Sequence, residues 1–137
     1  MLSLHAEYDV LYNFQSVKKN LMDKVMRQNL KDAYCLEMKE AIHFYQLNEF
    51  DSAFHHLERA HILGQSYIIP HTKSHWWMLK VGFKKHNARE VFGQVTRIIA
   101  SVLFSKIWVP TGNTGGANVN PLKPMPIPED LKQILNK

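Results

Sequence analysis

One cysteine among 137 residues, Cys35, leaves the chain without an intrachain disulfide and without the thiolates of a Cys-rich metal cluster. Any metal must then be held by nitrogen and oxygen. Six Gly and six Pro are too few for a low-complexity or collagen-like chain, and a 45% hydrophobic share is too high for disorder, so the chain should fold. Its length suits one domain over 1–137. The longest uncharged, mainly apolar run, Ile98 to Ser105, falls far short of the roughly 20 residues that cross a bilayer. Glu7 and Asp9 stand where a secretory signal needs a basic, then continuously apolar, start. The sequence therefore predicts a cytoplasmic protein with no membrane partner. Acidic residues number 12 against 17 basic ones, a formal charge of +5, but the basic residues are scattered. Lys18-Lys19 and Lys84-Lys85 are the densest pairs, and no basic-aromatic signature of an RNA-binding sheet appears, which argues against a specific nucleic-acid partner. Cys35 has no cation cluster nearby to activate it as a nucleophile.

Up to Trp108 the apolar residues keep a helical period. Leu11, Phe14, Leu21 and Val25 give a first helix over about 6–29, and a second runs from about Ala33 to Leu47. The polar break at Asn48 to Asp51, with Asp51 placed as an N-cap, opens a third helix ending at Gly64. A loop carrying Pro70 leads to a fourth helix over about 71–85, where Trp76, Trp77, Met78 and Leu79 read as core. Asn87 and Glu90 have capping-box spacing ahead of a fifth helix with Val91, Val95, Ile98 and Val102. From Pro110 the Gly- and Pro-rich composition forbids helix. It predicts a chain-reversing Gly-rich turn, an extended strap packed outside the bundle, and a short last helix from Pro128 to about Leu135. The 6–108 core with its 109–137 strap is thus an all-α bundle of about five helices arranged as consecutive helical hairpins. The hairpin turns lie about 38 residues apart, near the tetratricopeptide period, although the usual Trp-Leu-Gly-Tyr pattern is missing.

Eight histidines are the most unusual feature. Glu40-x-x-His43, Glu58-x-x-His61 and His71-x-x-x-His75 each put two ligand types on one helix face, since residues three or four apart are neighbours one turn along. The stripes carrying the two Glu-x-x-His pairs should face the core, where an unpartnered carboxylate costs several kcal/mol. A hairpin centred on Phe50-Asp51 sets Glu40 level with His61 and His43 level with Glu58. A loop centred near Tyr67 brings His71 and His75 into the same layer. Glu37 and Glu90 are the only plausible further carboxylates, with Glu90 some six residues, or about 9 Å of helix, below that layer. His56, on a different face from Glu58, reads as a surface or supporting histidine. Such a set suits one or two divalent ions of Zn, Fe, Mn or Ni. The alternative is a buried His-Glu-Arg network with Arg59 and Arg97 as counter-charges.

The run Ala53-Phe-His-His-Leu-Glu-Arg-Ala-His-Ile-Leu-Gly-Gln65, His71-x-x-x-His75-Trp, Arg89-Glu-Val-Phe-Gly-Gln94 and the Gly-Asn-Thr-Gly-Gly-Ala-Asn-Val motif together resemble an uncharacterised bacterial helical family, a domain of unknown function, over about residues 33–132. That resemblance brings no activity. It implies emphasis on Glu37, His56, Glu58, His61, Gln65, His71, His75, Glu90 and Gln94, whereas Glu40 and His43 lie outside the pattern. The site expected is therefore Glu37, Glu58, His61, His71 and His75, with Glu40, His43, His56 and Glu90 as secondary candidates. Two functions follow as expectations. One is a metal-binding helical protein, redox or hydrolytic if the ion keeps an open position. The other is a tetratricopeptide-like interaction module with structural histidines. A homo-oligomer is compatible with either.

Overall fold

The computed structural model describes residues 26–104 and 110–136. Over these it is all-α: α1 (Gln28–Gln46), α2 (Phe50–Gly64), α3 (Ile68–Lys84), α4 (Ala88–Phe104) and α5 (Glu129–Asn136). The predicted first helix falls almost wholly outside the described residues, as does the stretch 105–109 with Trp108.

The helices are antiparallel neighbours in sequence order, packed α1 on α2, α2 on α3 and α3 on α4, with α5 laid against α1 and α2. Leu30, Tyr34, Met38 and Ala41 from α1 meet Ala53, Leu57, Ala60 and Leu63 from α2, Met78 and Val81 from α3, and Leu131 from α5. Leu30 explains why α1 begins at Gln28 rather than Ala33: it continues the stripe of Tyr34 and Met38 at one-turn spacing, so the buried face extends the helix toward its N-terminus. Of the Trp76 to Leu79 run, Met78 and Leu79 are buried, while Trp76 is half exposed and Trp77 lies under the Lys80 ammonium at 3.9 Å.

Two turns repeat one geometry. Asn48 (φ 60°) and His86 (φ 52°), about 38 residues apart, are left-handed, the conformation that ends a helix by returning backbone N–H groups to its last carbonyls. Glu49 N–H donates to the Phe44 carbonyl and Asn87 N–H to the Gly82 carbonyl, both 2.9 Å. The first reversal is therefore centred near Asn48, ahead of the expected Phe50-Asp51. Asp51 is a first-turn residue of α2 paired with Lys85, not its N-cap. Pro70 is tolerated inside the first turn of α3 because an N–H there has no intrahelical acceptor. Asn87 Oδ1 does accept the Glu90 N–H at 3.0 Å, but the Glu90 carboxylate turns inward instead of closing the capping box.

The segment joining α4 to α5 also departs from expectation. Pro121 to Pro124 are exposed as a strap should be, yet Gly112, Asn113, Gly115 and Gly116 are buried. The Gly-rich turn enters the bundle, and what it meets there is the histidine layer.

Candidate metal centre

His61 sits near the end of α2, and His71 and His75 one turn apart at the start of α3, so the tight α2–α3 connection brings three imidazoles together. Their ring centroids lie 4.6, 4.7 and 4.7 Å apart, and one ligand nitrogen from each falls within 4.8 Å of the others. His75 Nε2 and His71 Nε2 are 3.1 Å apart. Tetrahedral bonds of about 2.05 Å to zinc would separate two nitrogens by about 3.3 Å, so this edge already has a suitable length.

Hydrogen bonds fix which nitrogen faces inward. His61 Nδ1 lies 2.8 Å from the Asn113 carbonyl, which can only accept, so Nδ1 carries the proton and Nε2 keeps its lone pair. Gln94 Nε2 donates to the Glu90 carboxylate at 2.6 Å and to the Gly115 carbonyl at 2.8 Å, two groups that can only accept. Gln94 Oε1 therefore faces His75 Nδ1 at 2.7 Å and accepts its proton. Two of the three rings thus show the second hydrogen bond that metal-bound histidines make, with the tautomer that leaves Nε2 free.

The rings are uncharged. Burial drives the pKa of His61 well below its usual 6.5, with the neighbouring imidazoles adding to the effect; burial alone takes His71 to about 4; burial and then His71 take His75 to about 3. His71 is the most accessible of the three, at 9% exposure. Gln65 lies one turn beyond His61, and its buried Oε1 has no hydrogen-bond partner among the described residues.

The other expected residues go elsewhere. Glu37 accepts from Arg59 Nε and pairs with His56 Nδ1, each at 2.7 Å, and Arg59 reaches on to Asp130 at 2.5 Å. His56 also stacks on Phe44. His43 is exposed on α1. With the reversal near Asn48, Glu37 stands level with Arg59, and Glu40 is no longer level with His61. Glu58 and Glu90 line an open cleft of about 270 Å³ together with Asp51, Lys85 and Asn118. Burial, with the negative Glu90 adding to it, raises the Glu58 pKa.

What composition and period did not reveal is the outer shell. Asn113 and Gly115 read only as turn formers, yet they hold His61 and Gln94. Gly115 has φ 83°, and a Cβ there would stand 2.7 Å from the His61 ring, so glycine is required on both counts. The motifs that carry the family resemblance were the available signal, since they include Gln94 and the glycine run.

Fold and site together define a small all-α chain whose inner end gathers three neutral histidines, a group able to hold a metal ion. The chain belongs to the family described as "Protein of unknown function (DUF3703)", whose model matches residues 28–135. No curated protein and no solved structure matches it.

Proposed function

We propose that the protein is a metal-binding protein in which Nε2 of His61, His71 and His75 take one divalent transition-metal ion. The observation that carries this reading is the pair of outer-shell hydrogen bonds, Nδ1 to the Asn113 carbonyl and Nδ1 to Gln94 Oε1, which turn lone pairs rather than protons toward a common point. In the metal-free protein His71 Nε2 can donate to His75 Nε2 at 3.1 Å, and an ion entering would take the place of that proton. An all-imidazole set favours Zn, Ni, Fe or Cu over Mn, which prefers oxygen. Three protein ligands leave a coordination position open, the arrangement that lets a bound ion supply Lewis-acid or redox chemistry. His71 is the residue that would exchange its proton with solvent when the ion enters. The expected carboxylate ligands Glu37 and Glu58 are not needed in this reading.

A second reading rests on a different surface. Phe92, Ile99, Val102 and Leu103 of α4 are 53 to 73% exposed, and a groove of about 430 Å³ between Phe83 and Phe92 adjoins them. Such a contiguous apolar face suits an interaction module. The two readings use different residues and are separable.

The test is elemental analysis of protein purified without an affinity tag, with thermal unfolding in the presence and absence of chelator. Free metal at 100 times its dissociation constant should add about 2.7 kcal/mol to native stability. His61→Ala should remove that increment and His86→Ala, far from the cluster, should keep it. Chelator-insensitive melting with equal behaviour of the two variants would sink the metal reading.

A further inference from the structure

Glu90 is only 8% exposed, yet among the described residues it is not paired with a cation in a salt bridge. Its oxygens instead accept the Gln94 amide at 2.6 Å and the Ala117 backbone N–H at 3.1 and 3.2 Å. Both contacts lead to the histidines. Gln94 holds His75, and the chain that ends in Ala117 carries the Asn113 carbonyl that holds His61 and the Gly115 carbonyl that holds Gln94. From these connections we infer that Glu90, without touching the ion, is the positioning residue of the centre: it fixes the Gln94 amide and the 113–117 loop so that His75 and His61 present Nε2 to the same point. The inference rests on the metal reading for its purpose but not for its geometry.

Two effects are available to a carboxylate at this place, and they are unequal. Its negative charge would help offset a dication held by three neutral imidazoles. Arg97, bound to the Gly93 and Val119 carbonyls, lies close enough to feel Glu90, so part of that field is cancelled. The directional effect is shared with the Gly115 carbonyl, which accepts from the same Gln94 NH2 at 2.8 Å, on a loop that Glu90 itself holds through Ala117. A carboxylate can only accept, so the group facing it must be the Gln94 NH2, and Gln94 must then offer its oxygen to His75. A neutral amide at position 90 could take the Ala117 N–H on its oxygen and turn its own NH2 to Gln94. Gln94 could then flip, giving up its bond to the Gly115 carbonyl, present NH2 to His75 Nδ1, and drive the proton onto Nε2 in part of the molecules, where it blocks a metal.

The experiment follows from that flip. Nitrogen-15 NMR of the metal-free protein should show His75 protonated at Nδ1 in the wild type and in a mixture of tautomers in Glu90→Gln. Cobalt(II), titrated with its visible absorption as readout, should bind one per chain to wild type and roughly 10- to 100-fold more weakly to Glu90→Gln, with altered bands. Far-ultraviolet circular dichroism should be unchanged. Glu37→Gln, which breaks a comparable network outside the cluster, should leave tautomer and cobalt affinity at wild-type values. Unchanged tautomer and unchanged affinity in Glu90→Gln would overturn the inference. Should that variant not fold, Glu90→Asp keeps the charge but draws the carboxylate back by one methylene from the Gln94 amide and the Ala117 N–H; wild-type tautomer and affinity there would overturn it equally. A wild type that takes up no cobalt defeats the metal reading alone, and the tautomer comparison still decides the role of Glu90.

Discussion

The molecule holds two clusters of histidine and its polar partners, and they solve the problem of burial in opposite ways. Around Glu37 the charges are matched: one carboxylate against Arg59 and His56, with Arg59 bridging to Asp130 at the half-exposed start of α5. Around His61 the rings themselves carry no charge; three imidazoles stay neutral, and the outer nitrogens of His61 and His75 are satisfied by a carbonyl and an amide. The first cluster is complete as it stands and ties α5 to α1 and α2. In the second the inward nitrogens meet one another, His71 Nε2 against His75 Nε2 at 3.1 Å, at a point where an ion could replace the shared proton. Similar residue types therefore make a brace in one place and a candidate ligand set in the other, and what separates them is whether a carboxylate is hydrogen-bonded directly to the imidazole, as Glu37 is to His56.

Acid should break the comparison most strongly. The His71 and His75 pKa values of about 4 and 3 lie below those of the unfolded chain, so the native state binds fewer protons. Stability from these groups is full above about pH 6.5 and is lost as pH falls through about 4 to 3. The drop from 6.5 to about 4 at His71 alone corresponds to roughly 3 kcal/mol. Urea midpoints measured between pH 7 and pH 4 should fall steeply, and a saturating metal ion should shift that fall to lower pH. A flat profile would mean that the imidazoles are not buried neutral.

Gly115→Ala comes next, at about 3 kcal/mol, combining a left-handed backbone with a Cβ driven into the His61 ring. Its melting temperature should fall, and its metal-dependent increment should fall with it. In the charged cluster the effects are smaller. Glu37→Gln should cost about 1 to 2 kcal/mol, since both its partners are mostly covered, and Asp130→Asn about 0.5 kcal/mol, since that carboxylate is 59% exposed. Chemical denaturation would rank the two, and both variants should keep the full metal increment. Loss of that increment in either would merge the clusters into one network.

The helices were legible because burial writes a 3.6-residue period into the chain, and His61, His71 and His75 were legible for the same reason: one pair at i, i+4 and a short connection whose centre is easily placed. Carboxylates were misplaced where the argument depended on the exact centre of a turn. Asn48 adopts the left-handed conformation two residues earlier than a polar tetrapeptide suggests, and Glu37, not Glu40, then meets α2. The buried loop escaped because its partners are far away in sequence. His61 and Asn113 are separated by 52 residues, and no local pattern records such a contact.

That separation has a consequence for the order in which the protein can be made. Synthesis delivers α2 and α3 first, and elements near the N-terminus begin to organise before later ones exist. His61, His71 and His75 can meet at that stage, but the carbonyls of Asn113 and Gly115 emerge only after all of α4. A nascent chain therefore carries three histidines without their outer hydrogen bonds, free to rotate and to take either tautomer. Selectivity for an ion is in this sense a property of the finished chain, acquired when its last third folds back over the first two.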